Sequence, residues 1–140
     1  MTGPSPRVIR GFARLDLLVT APLALPGLAG LVIDAFYAVE PMLGGAAVAP
    51  GFAPLHWLFV HLAGLLGVVW AWARLTLPDP RLARIDGLGR LAVGAGLAIF
   101  LVAFEAPRVL AILVATELAG AFAQLRGGSG APGGGPRVPE

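Results

Sequence analysis

The chain has 140 residues, room for one domain, and 57% of them are apolar while 13% are charged. An ordinary soluble domain carries about 25% charged residues, so this composition cannot cover a globule with polar surface and points to a bilayer. The formal net charge is +2, every basic residue is Arg, and the Arg residues are scattered rather than gathered into the dense stripe that nucleic acid requires. The absence of cysteine excludes disulfides, thiolate metal sites and a cysteine nucleophile.

Residues 1–13 hold Pro4, Pro6, Arg7 and Arg10 and read as a polar cytoplasmic segment. An apolar run follows from about Asp16 to Ala38. Basic residues before an apolar stretch resemble a signal peptide, but this run is too long, and Asp16 interrupts its start. Three more apolar spans also follow it. We read residues 15–38 as a first span in which Pro22 and Pro26 are tolerated as kinks, because neighbouring helices in a bundle can satisfy the freed carbonyls. Asp34, Tyr37 and Glu40 mark its exit, and residues 41–53 form an uncharged loop rich in Gly, Pro and Ala.

The clearest span is residues 54–74, PLHWLFVHLAGLLGVVWAWAR, with no charge between Pro54 and Arg74. At ~1.5 Å per residue it matches the ~30 Å hydrocarbon core of a bilayer. Trp57 lies near one end, and Trp70 and Trp72 near the other, as interfacial aromatic belts would have it. Residues 75–88 carry Pro78, Asp79, Pro80, Arg81, Arg84 and Asp86 and read as a solvated loop with a short helical turn. The apolar stretch that follows is too long for one span, and Glu105-Ala106-Pro107-Arg108 divides it into spans over about 89–104 and 109–125. Residues 126–140 are Gly/Pro-rich and read as a disordered cytoplasmic tail. The expected fold is an all-α bundle of four transmembrane helices in the inner membrane. Both termini are placed in the cytoplasm, because the first loop lacks Arg while the N-terminal segment and the second loop are rich in it.

Within this layout a few polar residues stand out. Glu117 falls in the middle of the fourth span and His61 inside the second, both roughly 10 Å or more deep by helical rise. On this topology both spans enter from the outer side, so His61 and Glu117 could pair as a proton relay or as the polar end of a ligand site. A hydrogen bond that only holds helices together is the plainer alternative. Asp16, Arg14, Arg74, Asp86 and Arg90 are expected to gather at the inner helix ends, with Asp86 and Arg90 as i,i+4 partners and an Asp16–Arg90 pair pinning two helices. The structural role is favoured there over a site for a head group or anion. His56, Glu105 and Arg108 form an expected outer cluster. His56 and His61 are five apart, about 140° around a helix, which argues against a shared metal. Gly64, Gly67, Gly94 and Gly96 read as close helix contacts. No phosphate loop, nucleophile elbow, zinc motif or redox motif is present, and no cofactor is expected.

The Arg near the start of the first span, the Pro and Gly within it, the His-bearing second span and the short last turn give a layout from about Arg14 to Leu125 that resembles the DoxX-like small bacterial four-helix membrane proteins. The Ala, Gly, Pro and Arg bias is that of a GC-rich bacterial genome. The resemblance implies association with respiratory or redox-linked membrane complexes, without a thiol-based role, since cysteine is absent. No functional residue is carried over from it. The leading expectation is a non-catalytic subunit or helper whose partners are the bilayer and another membrane protein or a second copy. The alternatives are a binder or carrier of a small apolar or weakly acidic molecule at His61 and Glu117, and an enzyme on a lipid-like substrate with Glu117 or Asp16 as acid or base. The latter resembles sterol-isomerase-like proteins in architecture alone.

Overall fold

The computed structural model describes residues 3–126, and the expected disordered tail lies, but for Arg126, outside them. Among the described residues the chain is all-helical. The elements are α1 (Pro6–Ala24), α2 (Leu28–Val39), a short 3-10 helix (Glu40–Leu43), α3 (Pro54–Thr76), α4 (Pro80–Ala103) and α5 (Leu110–Leu125). α3 and α4 are long and apolar enough to cross a membrane, whereas α5, with 16 residues, is a shorter apolar helix.

The first expected span is not one helix. It starts at Pro6, nine residues before the expected 15, and breaks at residues 25–27, where the chain bends by 114° between α1 and the helical segment that follows. Pro22 stays inside α1. Pro26 does not, because the residue before a proline is driven out of helical geometry. Leu25 is extended (φ −103°, ψ 122°), and Gly27 then takes φ 87°, which favours glycine over residues with a Cβ.

The expected loop over 75–88 is also mostly helix. α4 begins at Pro80, because Asp79 caps it and accepts from the Arg81 N–H at 2.6 Å, while Pro80 occupies the first turn where no intrahelical donor is needed. Only residues 77–79 separate α3 from α4.

The helices pack as two pairs. α1 lies along α3, and α4 lies along α5, while α3 and α4 approach each other little despite their short connection. Glycine allows both pairings. A Cβ on Gly64 of α3 would overlap the α1 backbone at Leu23 and Ala24, and one on Gly67 would meet Thr20. On the other side, Gly87 of α4 faces Leu125 of α5. The buried apolar core is small, with Ile9, Ala13, Ala29, Ala71, Ala83, Val109 and Ala121. Large apolar side chains such as Leu18, Leu31, Leu66, Val69 and Val102 point outward instead. Outward apolar surface with a thin, small-residue interior suits helices surrounded by lipid.

Candidate functional site

The two helix pairs are joined by charge. Asp16 of α1, Trp70 and Arg74 of α3, Asp86 and Arg90 of α4, and Glu117 and Gln124 of α5 form one hydrogen-bonded network. Asp86 is its hub. One oxygen accepts from Trp70 Nε1 at 2.5 Å; the other accepts from Arg74 Nη1 at 2.6 Å, from Arg90 Nε at 2.9 Å and from Gln124 Nε2. A single oxygen of Asp16 accepts from both Arg74 Nη2 and Arg90 Nη2. Glu117 accepts from Arg90 Nη1 at 3.1 Å. The links Arg74–Asp86, Trp70–Asp86 and Arg90–Asp16 run from one helix pair to the other.

Local helix geometry explains the arrangement. Trp70 and Arg74 are four apart on α3, and Asp86 and Arg90 four apart on α4, so each pair of side chains lies on one helix face. Gly120 makes room for the guanidinium: a Cβ there would lie 2.9 Å from Arg90 Cδ. Asp86 and Arg90 are less than one-tenth exposed and Arg74 is fully buried, while the side chains of Asp16 and Glu117 keep 23% and 25% exposure. Charges this deep among apolar helices persist only when they are paired and hydrogen-bonded.

The network lines a cleft of about 450 Å³. Ile85, Gly89 and Val93, four residues apart along α4, form one exposed wall. Thr20 of α1 and Gly67 and Trp70 of α3 also line it, together with the charged residues Asp16, Arg74, Asp86, Arg90 and Glu117. Among the described residues, two buried polar atoms, Arg74 Nε and Gln124 Oε1, have no hydrogen-bond partner.

Of the five charged residues expected together, Asp16, Arg74, Asp86 and Arg90 meet, while Arg14 stays exposed outside them. The expected His61–Glu117 pair does not form. Glu117 turns to Arg90, and His61 Nδ1 donates to the Leu23 carbonyl at 2.9 Å. The break after α1 explains this. A helix end leaves its last carbonyls without intrahelical donors, and His61, on the face of α3 that packs on α1, supplies one. The expected kinked but continuous span does not single out the Leu23 carbonyl as the partner of His61.

The expected outer cluster is replaced as well. His56 Nδ1 accepts from the Ala53 N–H at 3.1 Å and so caps α3. Glu105 is exposed in the turn between α4 and α5 at φ 49°. Arg108 and Glu40 make the long-range contact instead. The buried Glu40 carboxylate accepts from the backbone N–H of Arg108 at 2.9 Å and of Val109 at 2.8 Å, and Arg108 Nη1 donates to the Leu43 carbonyl at 3.2 Å. Glu40 thereby caps the N-terminus of α5 from 69 residues away in sequence. Sequence reasoning missed this role and that of Gln124, since each joins residues far apart in the chain with no spacing to signal it.

Among the described residues, no group of His, Cys, Asp and Glu could hold a metal ion. No family model, curated protein or solved structure matches the chain.

Proposed function

We propose that this is a non-catalytic, multi-pass membrane protein that binds a small, largely apolar molecule in the cleft between its two helix pairs. The observation that carries the reading is the cleft itself, lined by apolar Ile85 and Val93 and by the charged network that includes Glu117. Small-molecule sites combine apolar walls with a few convergent polar groups in this way. Asp86 and the terminal nitrogens of both arginines are engaged within the network, which favours a holding role for them. A test is to purify the protein in mild detergent and identify co-purifying small molecules by mass spectrometry, beside a Gly89→Phe variant. Gly89 lines the cleft, and a Cβ there meets nothing within 4 Å, so the ring should fill the cleft rather than disturb the packing. A species retained by the wild type and lost from the variant supports the reading; equal retention by both contradicts it.

The membrane topology belongs to the same proposal: four crossings of the inner membrane with both termini cytoplasmic, the bent α1–α2 segment making the first. Its support is the Arg bias of the sequence and the lengths of α3 and α4. Reporter fusions after Gly45 and after Arg126 should then report opposite sides, and the same side for both would contradict it. A place beside the DoxX-like proteins is likewise proposed, on layout alone.

A second reading, a subunit or helper of a membrane assembly, is favoured by a different surface. Ala111, Ala115 and Ala119 are exposed along one face of α5 and line an apolar groove of about 670 Å³ with Leu101 and Ile112. Small residues at this spacing let another transmembrane helix approach closely.

A further inference from the structure

α1 has two unlike faces. One packs inward: Thr20, Leu23 and Ala24 meet α3, and Ile9 and Ala13 are buried. Asp16 lies on this side too, held by Arg74 and Arg90. At helical spacing the other face carries Arg7, Arg10 and Arg14 in its first turns, then Leu17, Leu18, Ala21 and Leu25. The three arginines are exposed, and none forms an ion pair among the described residues. Past Arg14 this face has no charge and is hollowed. A groove of about 410 Å³ runs from Arg14 over the apolar residues and Pro22, and Leu28 of α2 lines it beyond the bend.

A basic face that turns abruptly into an apolar groove asks for an occupant with both characters. Another transmembrane helix would fill the groove and leave Arg14 without a counter-charge. An acidic protein segment would suit the arginines and leave the groove empty. An anionic phospholipid meets both demands. A guanidinium presents a fork of donors that matches a phosphate, and Arg14 has its fork free among the described residues. Charged side chains settle at the membrane surface, which places Arg14 at head-group depth and the groove below it. The dimensions agree. From Arg14 to Leu25 the helix rises about 16 Å, and one leaflet of a ~30 Å hydrocarbon core is about 15 Å deep. The groove is thus as long as one extended acyl chain in its leaflet, and the bend after α1 falls where that chain would end.

We propose that α1 holds one anionic phospholipid, its phosphate on Arg14 and one acyl chain in the groove. Arg10 and Arg7, one and two turns nearer the N-terminus, add attraction for the head group and for its anionic neighbours. The inference rests on the membrane crossing proposed above and is independent of the cleft.

The test is native mass spectrometry of the full-length protein in non-ionic detergent micelles, titrated with dioleoylphosphatidylglycerol or dioleoylphosphatidylcholine. The first phosphatidylglycerol should bind at least about fivefold tighter than the first phosphatidylcholine, the factor that corresponds to the ~1 kcal/mol of one arginine near a membrane surface. Arg14 is exposed, so Arg14→Gln leaves the packing intact; it should weaken phosphatidylglycerol by about that factor. Arg84→Gln, which removes an exposed arginine of α4 away from the groove, should not. Ala21→Phe puts a ring into the groove and should weaken both lipids. Equal affinity for the two lipids, or equal effects of Arg14→Gln and Arg84→Gln, would overturn the head-group contact. Lipid binding unchanged by Ala21→Phe would overturn the groove, and a dimer dissociated by the same variant would assign the groove to a second copy of the chain instead. An alkaline carbonate wash of membranes tests the crossing by itself. Release of the protein would overturn the crossing and the lipid site together, whereas retention without a preference for phosphatidylglycerol would overturn the lipid site alone.

Discussion

Asp86 takes donors from Trp70, Arg74, Arg90 and Gln124, and no other described residue touches so much of the network. Its removal leaves two arginines short of a partner among apolar helices. Breaking a buried ion pair from one side costs about 3–5 kcal/mol. Asp86→Ala should therefore lower the unfolding free energy by about that much in a denaturant titration in detergent, and a loss below about 1 kcal/mol would mean that lipid or water replaces the contact easily. Glu40 carries a smaller, separate role. Its carboxylate serves the two backbone donors at the start of α5, so Glu40→Ala should cost about 1–2 kcal/mol by loss of the cap and should leave the network intact. His61 and Glu117 answer to different partners, the Leu23 carbonyl and Arg90. A double-mutant cycle with His61→Phe and Glu117→Gln should thus be additive within about 0.5 kcal/mol. Coupling well above that would restore the direct pair expected from the sequence.

At the scale of the element, backbone proximity decides the pairing of α1 with α3. Gly64 lies where a Cβ would overlap backbone at Leu23 and Ala24, and backbone cannot swing aside as a side chain can. Gly64→Ala should force the pair apart and destabilise by about 1–3 kcal/mol, the usual cost of overpacking, whereas Gly96→Ala, open to space, serves as the control. Equal effects at both sites would contradict the close approach. The same scale shows what the sequence could and could not disclose. The span over α3 was legible from its length, its lack of charge and its tryptophans. The start of α4 was written in Asp79-Pro80, a cap followed by a first-turn proline, yet the density of charged residues around it read as loop. Pro26 and Gly27 signalled a break, but a proline kink and a 114° bend have the same sequence signature; which one forms depends on what packs against the exposed carbonyls, here His61. The meeting of Asp16, Arg74, Asp86 and Arg90 was legible because opposite charges among apolar spans must find each other. That Glu117 joins them, and that Glu40 caps α5, follows from which helices are neighbours, and single-chain periodicity does not contain that information.

Over the whole molecule, two tightly packed helix pairs are bridged by a polar network beside a cleft, with little apolar contact across the divide. The spacing of the pairs should therefore depend on the network rather than on core packing. Having no cysteine, the chain accepts spin labels at chosen positions without a background. The most direct measurement is the distance distribution between labels at Leu66→Cys on α3 and Ile99→Cys on α4, both exposed, by pulsed electron resonance in lipid nanodiscs. With the native network a single narrow distribution is expected; with Asp86→Ala it should broaden and shift to longer distance. A distribution unchanged by Asp86→Ala would contradict the claim that these buried charges hold the two halves together.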